Sequence, residues 1–147
     1  MADVRTGSDL LGMSQEQLDD LFRNSPVGEI PRGEAEGTVI VDPGTEVSEV
    51  VAKVAHAVVW QGKIFDPEHG VLRNKVTPFG VPAIKAKVFK DTSWFDGKEC
   101  IALDYSETSL IAHWIRDEIR LVAPALYLGI VYWGHDRLIN FALDFPR

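Results

Sequence analysis

The sequence predicts a single, mainly β domain, an antiparallel meander curled into a closed or partly closed barrel with two helices. Three observations carry that expectation. The apolar period changes from three and four residues to two after Gly62. From 62 to 145 the strand-like segments are separated by short, turn-rich connections, which favour antiparallel neighbours. From Cys100 to Phe145 the segments are almost continuously apolar, so both of their faces must be covered. About eight strands in such an order can close on themselves, remove their edges and enclose a cavity. A strongly bent open sheet wrapped around a helix is the second choice. At 147 residues, the chain is the size of one domain, 1–147, with enough residues for a core that needs no disulfide or metal.

The elements follow in order. Residues 1–12 are small and polar apart from Leu10-Leu11 and read as a frayed end. Ser14 with Gln17 three residues later has the capping-box pattern, and Leu18, Leu21 and Phe22 share a helical face, predicting a helix over 14–25 that Pro26 ends. Prolines and glycines between Pro26 and Gly37 mark a connection before a short strand, Thr38 to Val41, stopped by Pro43-Gly44. Val47, Val50, Val51, Val54 and Val58 recur at helical spacing, with Thr45 as N-cap, and predict a helix over 45–60 covering a mouth or flank of the barrel. Strands at 63–66 and 71–76 flank the turn Pro67 to Gly70, and 84–89 alternates apolar with lysine-rich positions. Asp96-Gly97 is a further turn. Beyond it lie strands at 99–105, 109–115, 118–123 and 126–133, and after Gly134-His135-Asp136 a last one at 137–145.

Composition narrows the function classes. With 46% hydrophobic and 25% charged residues the chain is neither disordered nor membrane-embedded in type. A formal charge of -7 disfavours sequence-independent nucleic-acid binding, which needs a cationic surface. The first residues lack the apolar core of a secretory signal, and no apolar run approaches the roughly 20 residues of a membrane span, so the expected location is the cytoplasm and no membrane partner is expected. The glycines have neither P-loop nor dinucleotide spacing, and His56, His69, His113 and His135 form no close pair, so no nucleotide, metal or other cofactor is expected. Cys100, the one cysteine, lies in an alternating apolar segment and reads as a small hydrophobe.

Polar residues inside apolar strands either find buried partners or line a cavity. On strand alternation His113 shares an apolar face with Ile111 and Ile115 and is the candidate acid/base, with Asp104 and Tyr105 as candidate assistants. Whether Asp104 reaches it depends on register. A three-residue loop at Ser106 to Thr108 puts the two on opposite faces, whereas a two-residue turn at Glu107-Thr108 leaves them on one face at a diagonal distance of roughly 7 to 8 Å. Asp117, about 13 Å further along a straight strand, is out of reach of His113. With Arg116, Glu118 and Arg120 it reads as a solvated, ion-paired rim. Arg116 is also the better-placed candidate for a carboxylate-binding arginine at a cavity mouth. Trp60, Lys63, Trp114 and Tyr132 are the remaining candidate ligand contacts, the aromatics as walls and Tyr132 as an inward polar group.

Trp60-Gln61-Gly62-Lys63-Ile64-Phe65 after a helix, followed by a strand-rich region with Tyr127-Leu128-Gly129 and Phe141-Ala142-Leu143, resembles uncharacterised bacterial proteins of the GXWXG/DUF4334 type. The resemblance implies a calycin-like, lipocalin- or nitrobindin-like β-barrel and a ligand cavity, and it transfers no catalytic residue. Together these observations lead to an expected intracellular barrel that binds a small hydrophobic or aromatic molecule. The alternative is a cofactor-independent isomerase, cyclase or hydrolase using His113. A third is an interaction module or homodimer built on an exposed sheet face, which a large apolar patch outside the barrel would reveal.

Overall fold

The computed structural model describes residues 4–41, 43, 60–76, 84–108 and 112–147. Eight antiparallel strands form a closed barrel in simple meander order: β1 (Gly33–Ile40), β2 (Trp60–Asp66), β3 (Val71–Val76), β4 (Lys85–Thr92), β5 (Glu99–Asp104), β6 (Ile115–Ala123), β7 (Leu126–Trp133) and β8 (Asp136–Asp144). Each strand pairs with the next, and β8 returns to β1 through Glu36 to Ile40, so no edge is left unpaired. The barrel has the architecture expected of a calycin-like fold. The helix expected over 45–60 lies outside the described residues apart from Trp60, which begins β2. Among the described residues, no helix is long and apolar enough to cross a membrane.

Among the described residues, two short helices pack on the outer wall. α2 (Gln15–Asn24) forms where its capping box predicts, with the Ser14 side chain accepting from the Gln17 amide at 3.1 Å and Gln17 Oε1 accepting from the Ser14 amide at 2.8 Å. Within the stretch read as a frayed end, Gly7–Leu11 form α1, which buries Leu10 and Leu11. The helix is anchored because Gly7 donates its amide to the Asp144 carboxylate at 3.0 Å. Leu10, Leu18 and Phe22 pack against Ile40, Leu126 and Leu128, residues on the outer face of the sheet.

The barrel interior is a second, separate apolar cluster containing Phe65, Leu72, Leu103, Ile119, Tyr127 and Leu143. Two glycines make room for rings that cross neighbouring strands. A Cβ on Gly37 would lie 2.4 Å from the Trp60 ring, and one on Gly129 only 2.2 Å from Phe141. These close approaches bring Trp60 and Phe141 to an edge-to-face contact at 5.8 Å.

The connection between β5 and β6 departs from the expected hairpin. Instead of a strand over 109–115, Ala112 to Trp114 form a turn and β6 begins at Ile115; residues 109–111 lie outside the described residues. Ile115 donates back to the Ala112 carbonyl at 2.9 Å, and pairing then starts with Asp104 opposite Arg116 and Leu103 opposite Asp117. Neither register considered from the sequence occurs. Because the strand starts later, it is Asp117, together with Ile115 and Ile119, that shares the inward face.

Candidate functional site

Among the described residues, the barrel interior is packed towards one end and lines a cavity towards the other. A cavity of about 310 Å³ is lined by Val39, Trp60, Ile84, Ile115, Val131 and Phe141, among others, most of them near the strand ends where β1 joins β2 and β3 joins β4. Among the described residues its polar lining is Lys63 from β2, Asn74 from β3, Asp117 from β6 and Tyr105 just beyond β5.

These four side chains form one buried network. Lys63 Nζ donates to Asn74 Oδ1 and to Tyr105 Oη, both at 2.7 Å, and lies 3.3 Å from Asp117 Oδ2. Asn74 Nδ2 donates to Tyr105 Oη at 2.9 Å and to the Ile84 carbonyl at 3.0 Å, while Trp60 Nε1 donates to Asn74 Oδ1 at 3.0 Å. Tyr105 Oη in turn donates to Asp117 Oδ2 at 3.4 Å. The other carboxylate oxygen, Asp117 Oδ1, has no partner; among the described residues it is the buried side-chain polar atom left open. The Lys63 ammonium also sits 5.3 to 5.4 Å from the ring centres of Trp60, Tyr105 and Phe141, within cation–π range.

Burial governs the electrostatics of the network. It pushes Asp117 above the usual carboxylate range even though Lys63 pulls the other way, because little water remains to solvate the charge. Burial likewise raises the Tyr105 phenol, which keeps it a neutral hydroxyl. For Lys63 burial opposes the charge, but its interactions with Tyr105 and Asp117 together outweigh it and the ammonium form is favoured.

Of the residues singled out in the sequence, Trp60, Lys63 and Tyr105 meet at this cavity. The others do not. Contrary to expectation, His113 is exposed: it lies in the turn before β6, where its Nδ1 is 2.9 Å from the Ser106 carbonyl. Asp104 caps the same connection, its Oδ1 accepting from the Ser106 amide at 2.9 Å. His113, Asp104, Trp114 and Arg116 border a surface groove with Trp94 and His135, whose rings stack at 4.7 Å. Trp114 is 60% exposed there, because the turn carries it away from the barrel. Arg116 and Tyr132 pair with each other across β6 and β7 and face the outer wall, Tyr132 meeting Trp94 edge-on at 5.4 Å. Alternation places them opposite the inward Asp117 and Val131, so Tyr132 is not an inward group.

The expected solvated rim is also corrected. Glu118 and Arg120 are completely or almost completely buried on the outer wall under the β4–β5 connection and α2. Asn74 and Asp117 complete the cavity network. Both stand on apolar faces in the sequence, Asn74 beside Leu72 and Asp117 between Ile115 and Ile119, and a lone polar residue on such a face was the available signal.

Fold and site together define a closed, eight-stranded antiparallel barrel with an apolar cavity and a polar cluster in its wall. No family model and no curated protein matches the chain. A crystal structure of a protein from Thermomonospora curvata is similar to it, with a TM-score of 0.57 and 15% identity over 92% of this chain and 89% of the other. That likeness is one of fold.

Proposed function

We propose that the protein binds a small, predominantly hydrophobic or aromatic molecule inside the barrel. The observation that supports this reading is the cavity of about 310 Å³, whose walls are mostly aliphatic and aromatic and whose few polar groups converge from three strands and the end of a fourth. A barrel built only for stability would fill that space, since packed interiors leave few voids larger than a water molecule. The same architecture supports kinship with calycin-like proteins of the GXWXG/DUF4334 type as part of this proposal. The isomerase, cyclase or hydrolase alternative would need its base at Asp117, the titratable cavity group with an open oxygen, because His113 lies outside.

Titration with N-phenylnaphthylamine, an apolar dye that brightens out of water, tests the reading. One site per chain is expected, and Val131→Trp, which fills the cavity, should abolish it. Dye binding that survives Val131→Trp in a folded protein places the site elsewhere and ends the proposal. Native mass spectrometry of protein from its own cells would then name the natural occupant.

A further inference from the structure

The hydrogen-bonding capacity of the cavity network narrows what kind of ligand it can take. An ammonium has three protons to give. Those of Lys63 are matched by Asn74 Oδ1, Tyr105 Oη and Asp117 Oδ2. Asn74 is equally committed: its amide nitrogen serves Tyr105 and the Ile84 carbonyl, and its oxygen receives Trp60 and Lys63. Tyr105 Oη accepts from Lys63 and Asn74 and gives its proton to Asp117 Oδ2. Among the described residues the valence left open is on Asp117 Oδ1. Although burial opposes the charge, Oδ2 faces the Lys63 ammonium at 3.3 Å and takes the Tyr105 hydroxyl proton in a hydrogen bond, and in that ionised form Oδ1 is an acceptor.

Charge points the same way. Lys63 and Asp117 are both buried and balance each other, so among the described residues the cavity lining offers no surplus cation to an anionic headgroup. A carboxylate ligand would meet an acceptor oxygen where it needs a donor, in a site where unmatched charge is costly. A pure hydrocarbon would leave Asp117 Oδ1 unpaired, and that also has a cost.

We propose that the cavity selects an uncharged, largely apolar molecule with one hydrogen-bond donor, of the phenol or alcohol class, whose hydroxyl donates to Asp117 Oδ1. The proposal rests on the cavity being a binding site and specifies the chemistry of its occupant. The apolar body lies against Val39, Ile84, Val131, Ile139 and Phe141, and the hydroxyl turns towards β6.

Calorimetric titration with three probes of one shape tests it: 4-propylphenol, its methyl ether 4-propylanisole, and 4-propylbenzoate. A hydrogen bond to a charged acceptor predicts that the phenol binds at least about tenfold more tightly than the ether, with the benzoate weakest. Asp117→Asn removes the negative charge beside Lys63, so the phenol preference should shrink and the benzoate should gain affinity. Equal affinity for phenol and ether in the unmodified protein, or strongest binding of the benzoate, overturns the donor assignment while leaving the binding site intact. Failure of all three probes to bind overturns the binding-site reading as well. If Asp117→Asn does not fold, the ratios in the unmodified protein still decide.

Discussion

On its outer face β6 presents Arg116, Glu118 and Arg120 with every charged atom partnered, whereas on its inner face Asp117 keeps one oxygen open. Arg120 donates through Nη1 and Nη2 to both oxygens of Asp96, at 2.6 and 2.7 Å, while Nη1 also serves the Phe22 carbonyl and Nε the Glu99 carbonyl, both at 3.0 Å. Glu118 accepts from Ser93 Oγ at 2.5 Å and the Trp94 amide at 2.7 Å, and Arg116 ties it to Asp91 and the Thr92 carbonyl. This outer network pins the β4–β5 connection and the end of α2 to the barrel wall. Buried charges that saturate one another hold parts of a fold together; a buried carboxylate with an open oxygen beside a cavity is, on the function proposed above, where a ligand donor would bind. Adjacent residues of one strand therefore serve different ends because the pleat sends them to opposite faces.

The largest expected effect comes from breaking the outer network. Arg120→Met strands the Asp96 carboxylate and removes the donor from two carbonyls, and should lower the unfolding free energy by about 3–5 kcal/mol in urea titrations. Dye affinity in the cavity should stay unchanged wherever the variant is folded. A loss below about 1 kcal/mol would mean that the outer charges are ordinary surface ion pairs and that the contrast between the two faces is unfounded.

A smaller, pH-dependent effect isolates one arm of that network. The hydrogen bonds from Arg120 hold the Asp96 carboxyl at about 2, below its ordinary 3.8, against the opposing influence of burial. A depressed pKa gives stability that is present above the ordinary value and is lost as the pH falls through the folded one. Asp96→Asn should thus cost about 2 kcal/mol at neutral pH, with the gap to the unmodified protein closing between pH 4 and pH 2. Urea unfolding of both proteins across that range measures it. A gap that does not change with pH would show that the carboxylate charge is not what Arg120 recognises.

Much of this contrast was accessible from the sequence, but unevenly. Periodicity predicted β3 and β7 to the residue and α2 within one, because apolar alternation and a capping box are local signals. The meander order followed from short connections. The face assignments failed at Tyr132 on β7, which faces the outer cluster, and at the β5–β6 connection: an apolar stretch ending in His113-Trp114 has strand-like composition, yet Ala112 to Trp114 turn. Starting β6 at Ile115 sets its register, and the register decides that Asp117 faces in while Arg116 and Glu118 face out. Burial of the outer charges was illegible for a different reason. Their cover is the β4–β5 connection and α2, tens of residues away in the chain, and no local pattern announces it.

The smallest expected effect tests that corrected register directly. His113 is exposed and is tied to the protein by the 2.9 Å contact of Nδ1 with the Ser106 carbonyl and an edge contact with Trp114 at 4.8 Å. With Nδ1–H as the donor, the ring is held in one tautomer and braces the connection between β5 and β6. His113→Ala removes one neutral, solvent-accessible hydrogen bond, and the expected loss of stability is about 0.5–1 kcal/mol in urea. Dye affinity and the phenol-to-ether ratio should match those of the unmodified protein, since the imidazole borders the outer groove and not the cavity. If His113→Ala instead abolished binding while the barrel stayed folded, the ligand would have to sit in the groove beside Trp94 and His135. The open oxygen of Asp117 would then be a cost of folding with no ligand to offset it.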